Sequence, residues 1–431
     1  MKIAIIGTGY VGLVTGACFA DLGNSVICVD NDRPKIHALT EGDIPIYEPG
    51  LEELVAKSAK AGRLSFTADI AKGISDSEVI FICVGTPPRE DGSADLTSIE
   101  NVSREIAANL HSYKLIVEKS TVPVETGEWV KRTVKAFRKS EADFDIASNP
   151  EFLREGSAIH DFLHPDRIVV GAESVKARKI LEELYRPLKA PIVFTGIKGA
   201  EIIKHASNSF LATKISFINA VANICEKVGV NVEDVAKGIG LDPRINMHFL
   251  RAGAGFGGFC FPKDLSAFMH IADSLGYSFG LLKEVEKINE AQKDLVIGKV
   301  KKLIWNLPGK TIGVLGLSFK PNTDDIRFSP SIAIVKKLLR AGCKIKAYDP
   351  GAMKKARKEF DGKIAYCGDA YEAVQGANCM LLMTEWNEFR ELDFLKIKKL
   401  MAQPVVVDAR NIYDPAHLRE LGFEYEGIGR G

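Results

Sequence analysis

The chain has 431 residues, 46% of them hydrophobic and 26% charged, with 57 basic against 56 acidic side chains and a formal net charge of +1. That length exceeds what one hydrophobic core usually serves, so two or three domains are expected, and the balanced charge without a long basic run argues against nucleic-acid or anionic-membrane partners. No charge-free apolar run is long enough to span a bilayer, and MKIAIIGTGY enters a strand pattern rather than a leader with a cleavage site, so a soluble, cytoplasmic protein is expected.

From residue 1 to 198, short apolar runs (KIAIIG, SVICVD, VIFICVG, LIVEKS and DIASNP) alternate with amphipathic stretches. Buried strands alternating with helices predict a parallel sheet with helices on both faces. Gly7, Gly9 and Gly12 form GxGxxG between the first strand and the first helix, where one glycine makes the turn and another admits a pyrophosphate. Asp30 ends the second strand, 21 residues beyond Gly9, the place of a carboxylate that accepts hydrogen bonds from an adenosine ribose. That carboxylate favours NAD over NADP, although Arg33 nearby pulls the other way. Thr86 in GTPP and Thr121 in STVP fall at strand ends, the ligand edge of such sheets. Glu151 and Glu155 in NPEFLREG follow the fifth run. Carboxylates there serve as base, as ligand contacts or as early-helix residues complementing the dipole.

From 199 to 307 the pattern is helical, beginning with EIIKHASNSFLATKISFINAVANICEKVG, which predicts one long helix. Lys204 and Asn208 are four apart on it and share a face, which is unremarkable if that face meets solvent. The segment GFGGFCFPKD flanks Cys260 with glycines and follows it with Lys263 and Asp264. A nearby cation favours the thiolate form of a cysteine, so the spacing suits a nucleophile, while a buried thiol in a tight turn is the alternative. The eight cysteines include no CxxC pair, and His160 and His164 have no third ligand, so no metal is expected.

From 308 to 431 the strand pattern returns in TIGVLGLS, KIKAYDP, CMLLMTEW and PVVVDAR. This is a degenerate copy of the first segment, with Gly316 opposite Gly7, Ser318 opposite Gly9 and Asp349 opposite Asp30. The expected fold is α/β: two Rossmann-like doubly wound domains joined by an all-helical central segment with a long helix.

GTGYVG, GTPP, STVP, NPEFLREG with HPDRIVVG, KHASNSFLA, GFGGFCFPKD and FKPNTDDIR, in this order, make the chain similar to the UDP-glucose/GDP-mannose dehydrogenase family from residue 1 to about 425. The resemblance implies an NAD-dependent, four-electron oxidation of a sugar C6 hydroxyl to a carboxylate, through a thiohemiacetal and a thioester on Cys260. The motifs look most like the branch that converts UDP-glucose to UDP-glucuronate. The GDP-mannose branch is the nearest rival, the UDP-N-acetyl sugar branch stands further off, and a non-catalytic NAD-binding regulatory protein is the reading from another class.

Carried over by motif, Lys204 would stabilise developing oxyanions with Asn208 beside it, and Asp264 and a water near Thr121 would handle protons. Glu151 would assist thioester hydrolysis, and the base of each half-reaction stays open. Cofactor contacts would come from Gly7, Gly9, Tyr10, Val11, Gly12, Asp30, Lys35, Thr86, Thr121, Glu155, Lys263 and Arg327. The substrate would meet Glu151, Phe152, Leu153, Arg154 and Glu155, then Lys204 and Asn208, then Phe249, Leu250, Arg251, Ala252, Gly253 and Gly257, with Lys320 on its diphosphate or sugar. A homodimer or higher homo-oligomer through the middle segment is implied, with Arg244 reaching into the neighbour's site.

Overall fold

In the computed structural model, which describes residues 1–430, the apolar runs of the first segment become strands β1 (Lys2–Ile6), β2 (Ser25–Val29), β4 (Val79–Ile82), β5 (Lys114–Glu118) and β6 (Phe144–Ser148). β4 and β5 are buried along their whole length, as a strand covered by helices on both faces requires. Three further strands lie outside the runs picked from the sequence: β3 (Leu64–Thr67), β7 (Ile168–Ala172) and β8 (Ile192–Thr195). β3 and β8 are four-residue edge strands with half-exposed side chains, so they carry little apolar signal. The sheet order is β3-β2-β1-β4-β5-β6-β7-β8, parallel at every pairing except β6 with β7. Phe19 anchors one side of this sheet, its ring 5.2 Å from Phe81, 5.1 Å from Phe162 and 5.6 Å from Tyr185.

The chain divides into two compact units, the first comprising Met1–Ser207 with Ser266–Gly276, the second Asn208–Leu265 with Tyr277 onward. The second unit holds a six-stranded, wholly parallel sheet of order β11-β10-β9-β12-β13-β14. Its strands are β9 (Thr311–Leu315), β10 (Lys344–Tyr348), β11 (Ala365–Tyr366), β12 (Cys379–Leu382), β13 (Val405–Asp408) and β14 (Glu424–Gly427). The four expected strands are present, and the edges β11 and β14 are additional. Gly316 stands at φ +97°, matching Gly7 at φ +100°, so both turns after the first strand need a glycine.

Between 199 and 307 there is no strand among the described residues. The helix Ile197–Val228 runs 32 residues because, after Gly199 in its first turn, no Gly or Pro interrupts it, and it ends at Gly229, φ +72°. The helix Cys260–Ser274 begins after glycines at φ +100° (Gly255) and +77° (Gly258), and its Pro262 sits in the first turn, where no backbone donor is needed.

Candidate active site

In the first unit the turn after β1 is shaped for a close ligand. Gly9, at the N-cap of the helix Tyr10–Asp21, has open space where a Cβ would point, and no side chain caps that helix end. Gly12 cannot be replaced, since an added Cβ would lie 1.9 Å from the carbonyl oxygen of Gly7. Uncapped N–H groups at a helix start attract anions, and the cradle fits a pyrophosphate. At the end of β2, Asp30 Oδ2 accepts from Thr8 N–H (2.8 Å), Thr8 Oγ1 (2.7 Å) and Lys35 Nζ (2.9 Å), and Oδ1 accepts from Asp32 N–H. Burial opposes its charge, but the Asp32 N–H, the Lys35 ammonium and Thr8 outweigh it and hold the carboxyl below its usual range. An open hollow of about 550 Å³ lined by Arg33 and Thr67–Ala71 adjoins this strand end, large enough for an adenine. Thr86 and Thr121 are joined, Thr86 Oγ1 donating to Thr121 O at 2.9 Å.

On the same unit, Lys204 Nζ meets Glu151 Oε1 at 3.0 Å, with the two side chains 4% and 7% exposed. Lys204 therefore faces the interior rather than solvent, and it also lies 5.3 Å from the Phe152 ring, which Arg167 covers at 3.6 Å. Glu151 Oε2 accepts from Leu153 N–H at 2.5 Å, folding the segment back on itself. Arg154 turns outward to pair with Asp161 at 2.6 Å. Two buried groups here escaped the sequence reading. Lys119 Nζ, 4% exposed as a residue, lies 3.1 Å from Asn149 Oδ1, and burial pushes its ammonium down to about 8. Glu118 is pushed up to about 8, also by burial. Both stand at the end of β5, where EKS looks like a solvated strand end. Only the tertiary packing buries them.

In the second unit Cys260 opens its helix, half-buried, with Asp264 one turn further on the same face. Asn208 Nδ2 donates to Asp264 Oδ2 at 2.5 Å, and Lys263 Nζ lies 2.7 Å from Asp264 Oδ1. The backbone before the thiol is tightly held: Gly257 has Phe328 O within 2.5 Å of any added Cβ, and Phe256 and Asn289 exchange two hydrogen bonds. Phe249, at φ +65°, starts the stretch in which Leu250, Ala252 and Gly253 are buried, and Gly253 N–H donates to Asn219 Oδ1 at 2.9 Å. Arg251 stays exposed. Lys320 lies 5.5 Å from the Phe319 ring, and Arg327 pairs with Asp325 at 2.6 Å while covering Phe259 at 4.4 Å. Arg244 is exposed, paired with Asp242 two residues away.

Residues 1–189 match the NAD binding domain, 198–291 the central domain and 313–415 the UDP binding domain of the UDP-glucose/GDP-mannose dehydrogenase family. The chain belongs to this family. As a UDP-glucose/GDP-mannose dehydrogenase it is an NAD-dependent oxidoreductase. It is 50% identical over 437 residues to UDP-glucose 6-dehydrogenase of Rhizobium meliloti (strain 1021), covering 100% of both chains. It is 49% identical to UDP-glucose 6-dehydrogenase TuaD of Bacillus subtilis (strain 168), covering 100% of this chain and 93% of that protein. The structure of a UDP-glucose dehydrogenase from the hyperthermophilic archaeon Pyrobaculum islandicum superposes with a TM-score of 0.94 at 38% identity, covering 100% of this chain and 98% of that one.

Within this dehydrogenase fold, the first unit gathers the glycine turn, Asp30, Lys35, Thr86, Thr121, Glu151 and Lys204, and the second gathers Asn208, Cys260, Lys263 and Asp264. One continuous helix carries Lys204 and Asn208 on successive turns.

Proposed function

We propose that the enzyme oxidises UDP-glucose at C6 to UDP-glucuronate with NAD, through a covalent intermediate on Cys260. The observation that carries this reading is a contrast among thiols. Seven of the eight cysteines are buried, and burial pushes Cys18, Cys83 and Cys379 up to about 12, whereas Cys260 alone is half-buried among the described residues. Cys260 also stands at a helix start, where the dipole favours negative charge.

NAD, when bound, accepts the hydride of each oxidation. The Gly9 turn, Asp30 and the hollow beside Arg33 would hold it. Once the C6 hydroxyl has lost a proton and a hydride, Cys260 Sγ adds to the aldehyde carbon, and the oxyanion takes up a proton to become a thiohemiacetal. Loss of a second hydride and proton leaves a thioester. Water adds to it, the C–S bond breaks, and the thiol departs from the new carboxylic acid. The Lys204 ammonium supplies positive charge for the oxyanions, and Glu151 at 3.0 Å from it is the carboxylate suited to drawing a proton from the hydrolytic water. Asp264, gripped by Asn208 and Lys263, serves proton transfer on the thiol's side. Lys320 and the Phe249–Gly253 stretch would take the UDP-sugar, while the family matches at 1–189, 198–291 and 313–415 support reading 1–198 as the NAD-binding domain, 199–307 as the central segment and 308–431 as the UDP-sugar domain.

The functional form is a homodimer or higher homo-oligomer in this reading. Phe210, Phe217 and Ile224 recur every seventh residue along the long helix, 66%, 54% and 62% exposed, an apolar stripe suited to a second copy. Arg244, exposed nearby in sequence, would reach the neighbour's site. No helix among the described residues is long and apolar enough to cross a membrane. Buried thiols and nucleotide substrates fit the cytoplasm.

The test offers UDP-glucose, GDP-mannose and UDP-N-acetylmannosamine separately and follows NADH. Turnover of UDP-glucose with two NADH per UDP-glucuronate is expected. Preference for another sugar nucleotide, or NAD binding without turnover, overturns the reading.

A further inference from the structure

We propose that Glu48 is a positioning residue that locks the segment Glu151–Ser157 onto the dinucleotide turn. It rests on the reading above that this segment meets the substrate and the nicotinamide.

Glu48 lies in the loop between the helices Arg33–Glu41 and Leu51–Lys60. Every other residue from 41 to 50 is exposed or half-exposed, yet Glu48 is 6% exposed. A lone carboxylate turned inward from a solvated loop needs strong partners to offset its lost hydration. It has three. Oε2 accepts from Gly156 N–H at 2.6 Å and from the Tyr10 hydroxyl, and Oε1 accepts from Ala158 N–H at 2.7 Å. Gly156 N–H is also 3.1 Å from the Tyr10 oxygen, which closes a small ring of hydrogen bonds. Tyr10 is the first residue of the helix that follows Gly9, and Gly156, at φ +81°, is the turn next to Glu155. Burial and then Glu48 itself push the Tyr10 phenol far up, so it stays a donor at any physiological pH.

A plain helix cap is the competing account, since Ala158 starts the helix Ala158–Leu163 and Ser157, at its N-cap, makes no side-chain cap bond. Capping accounts for the Ala158 bond. It does not account for Tyr10 and Gly156, which lie outside that helix and join the two segments that handle cofactor and substrate. Without the carboxylate, the Gly156 and Ala158 donors lose their acceptor, and the segment is free to shift relative to Tyr10. Small misplacements of reacting groups lower turnover steeply.

The test compares Glu48→Ala and Glu48→Gln in the full-length enzyme. Glu48→Ala is expected to lower kcat about ten- to a hundredfold, with KM for UDP-glucose changed less than about threefold. Amide exchange at Gly156 and Ala158 should quicken while β1 and β2 keep their protection. Glu48→Gln retains an acceptor oxygen and is expected to restore most of the turnover and the protection. Native turnover in the alanine variant overturns the proposal, as does a loss of protection spread over the whole first sheet, or a kcat loss in the glutamine variant with Gly156 and Ala158 still protected. Glu151→Gln tests the underlying site reading by itself: undiminished turnover there removes that reading, whatever Glu48 does.

Discussion

Asn208 donates to Asp264 at 2.5 Å between side chains that are 7% and 1% exposed, fastening the long helix to the helix that Cys260 opens, one turn from the thiol. The same carboxylate carries Lys263 at 2.7 Å. The two partners are unequal, because one is a neutral amide and the other a buried charge.

Asp264→Ala removes the counter-charge of a buried ammonium and is expected to cost about 3–5 kcal/mol. Asn208→Ala, which leaves the Asp264–Lys263 pair in place, should cost about 1–2 kcal/mol. Urea denaturation of the two variants checks the order, and a larger loss for the Asn208 variant contradicts the assignment.

Cys260→Ala should abolish UDP-glucuronate formation while leaving NAD and UDP-glucose binding near native, because in the proposed reaction only the second oxidation proceeds through sulfur. Cys260→Ser can still form an ester that hydrolyses slowly. Mass spectrometry should then find an adduct on the peptide containing residue 260, or slow turnover. Near-native production by the alanine variant would make the thiol structural.

In the proposed cofactor site, Asp30→Ala deletes a charged acceptor for the ribose hydroxyls. A loss of about 2 kcal/mol, roughly thirtyfold in NAD affinity, is expected, together with a narrower gap to NADP. Because the native carboxyl is held below its usual range, the preference for NAD should persist in mild acid. The depressed value makes Asp30 a stabilising group above the ordinary aspartate range, and that contribution is lost as the pH falls through its folded value. Binding titrations at several pH values test this, and an enzyme that prefers NADP at neutral pH refutes it.

Glu118 gives the opposite sign. Burial raises its carboxyl from 4.5 to about 8, so between those values the folded chain keeps a proton that the unfolded chain releases. Stability should therefore fall as pH rises through that window. Glu118 Oε2 is buried without a hydrogen-bond partner, while Oε1 accepts from Ser120 N–H at 2.9 Å. Glu118→Gln keeps that acceptor and removes the titration. The variant should be more stable than native at pH 8 by a gain on the order of 2–4 kcal/mol, with a flatter stability profile from 5 to 8. Parallel declines in the two proteins would place the titrating group elsewhere.

Phe217→Glu puts a charge in the middle of the apolar stripe on the long helix. Sedimentation should show dissociation to a smaller species at concentrations where the native chain associates. An unchanged sedimentation coefficient would mean that another surface joins the copies.

The sequence carried the parts of this molecule that depend on short-range spacing. Gly7, Gly9 and Gly12 follow a buried strand and open a helix, and the four-residue step from Lys204 to Asn208 puts both on one helical face. What it could not carry depends on which surfaces meet. The spacing alone leaves open whether that face meets solvent or the interior, and packing leaves Lys204 and Asn208 only 3% and 7% exposed. Glu48 sits among exposed residues and is buried only because Gly156 and Ala158, more than a hundred positions away, turn their N–H groups toward it. Lys119 ends an apolar run where a lysine ordinarily reaches water. β8 has the pattern of a loop, since two of its four residues are exposed and its pairing with β7 alone makes it a strand.

The second Rossmann-like half repeats the first turn with one change that closes it. Asp349 Oδ2 accepts from Leu317 N–H, Ser318 N–H and Ser318 Oγ at 2.7–2.9 Å, and Ser318 is fully buried where Gly9 is exposed. Those amides are already taken by Asp349, so this turn lacks the open donors that the first turn offers to a dinucleotide. In the proposed four-electron oxidation, a reaction served by the first turn pauses midway while spent cofactor is exchanged for fresh. On that reading the half-oxidised sugar has to outlast the pause, and the residence time of a carbon–sulfur bond at Cys260, set against the rate of cofactor exchange, would govern whether the enzyme delivers an acid or leaks an aldehyde.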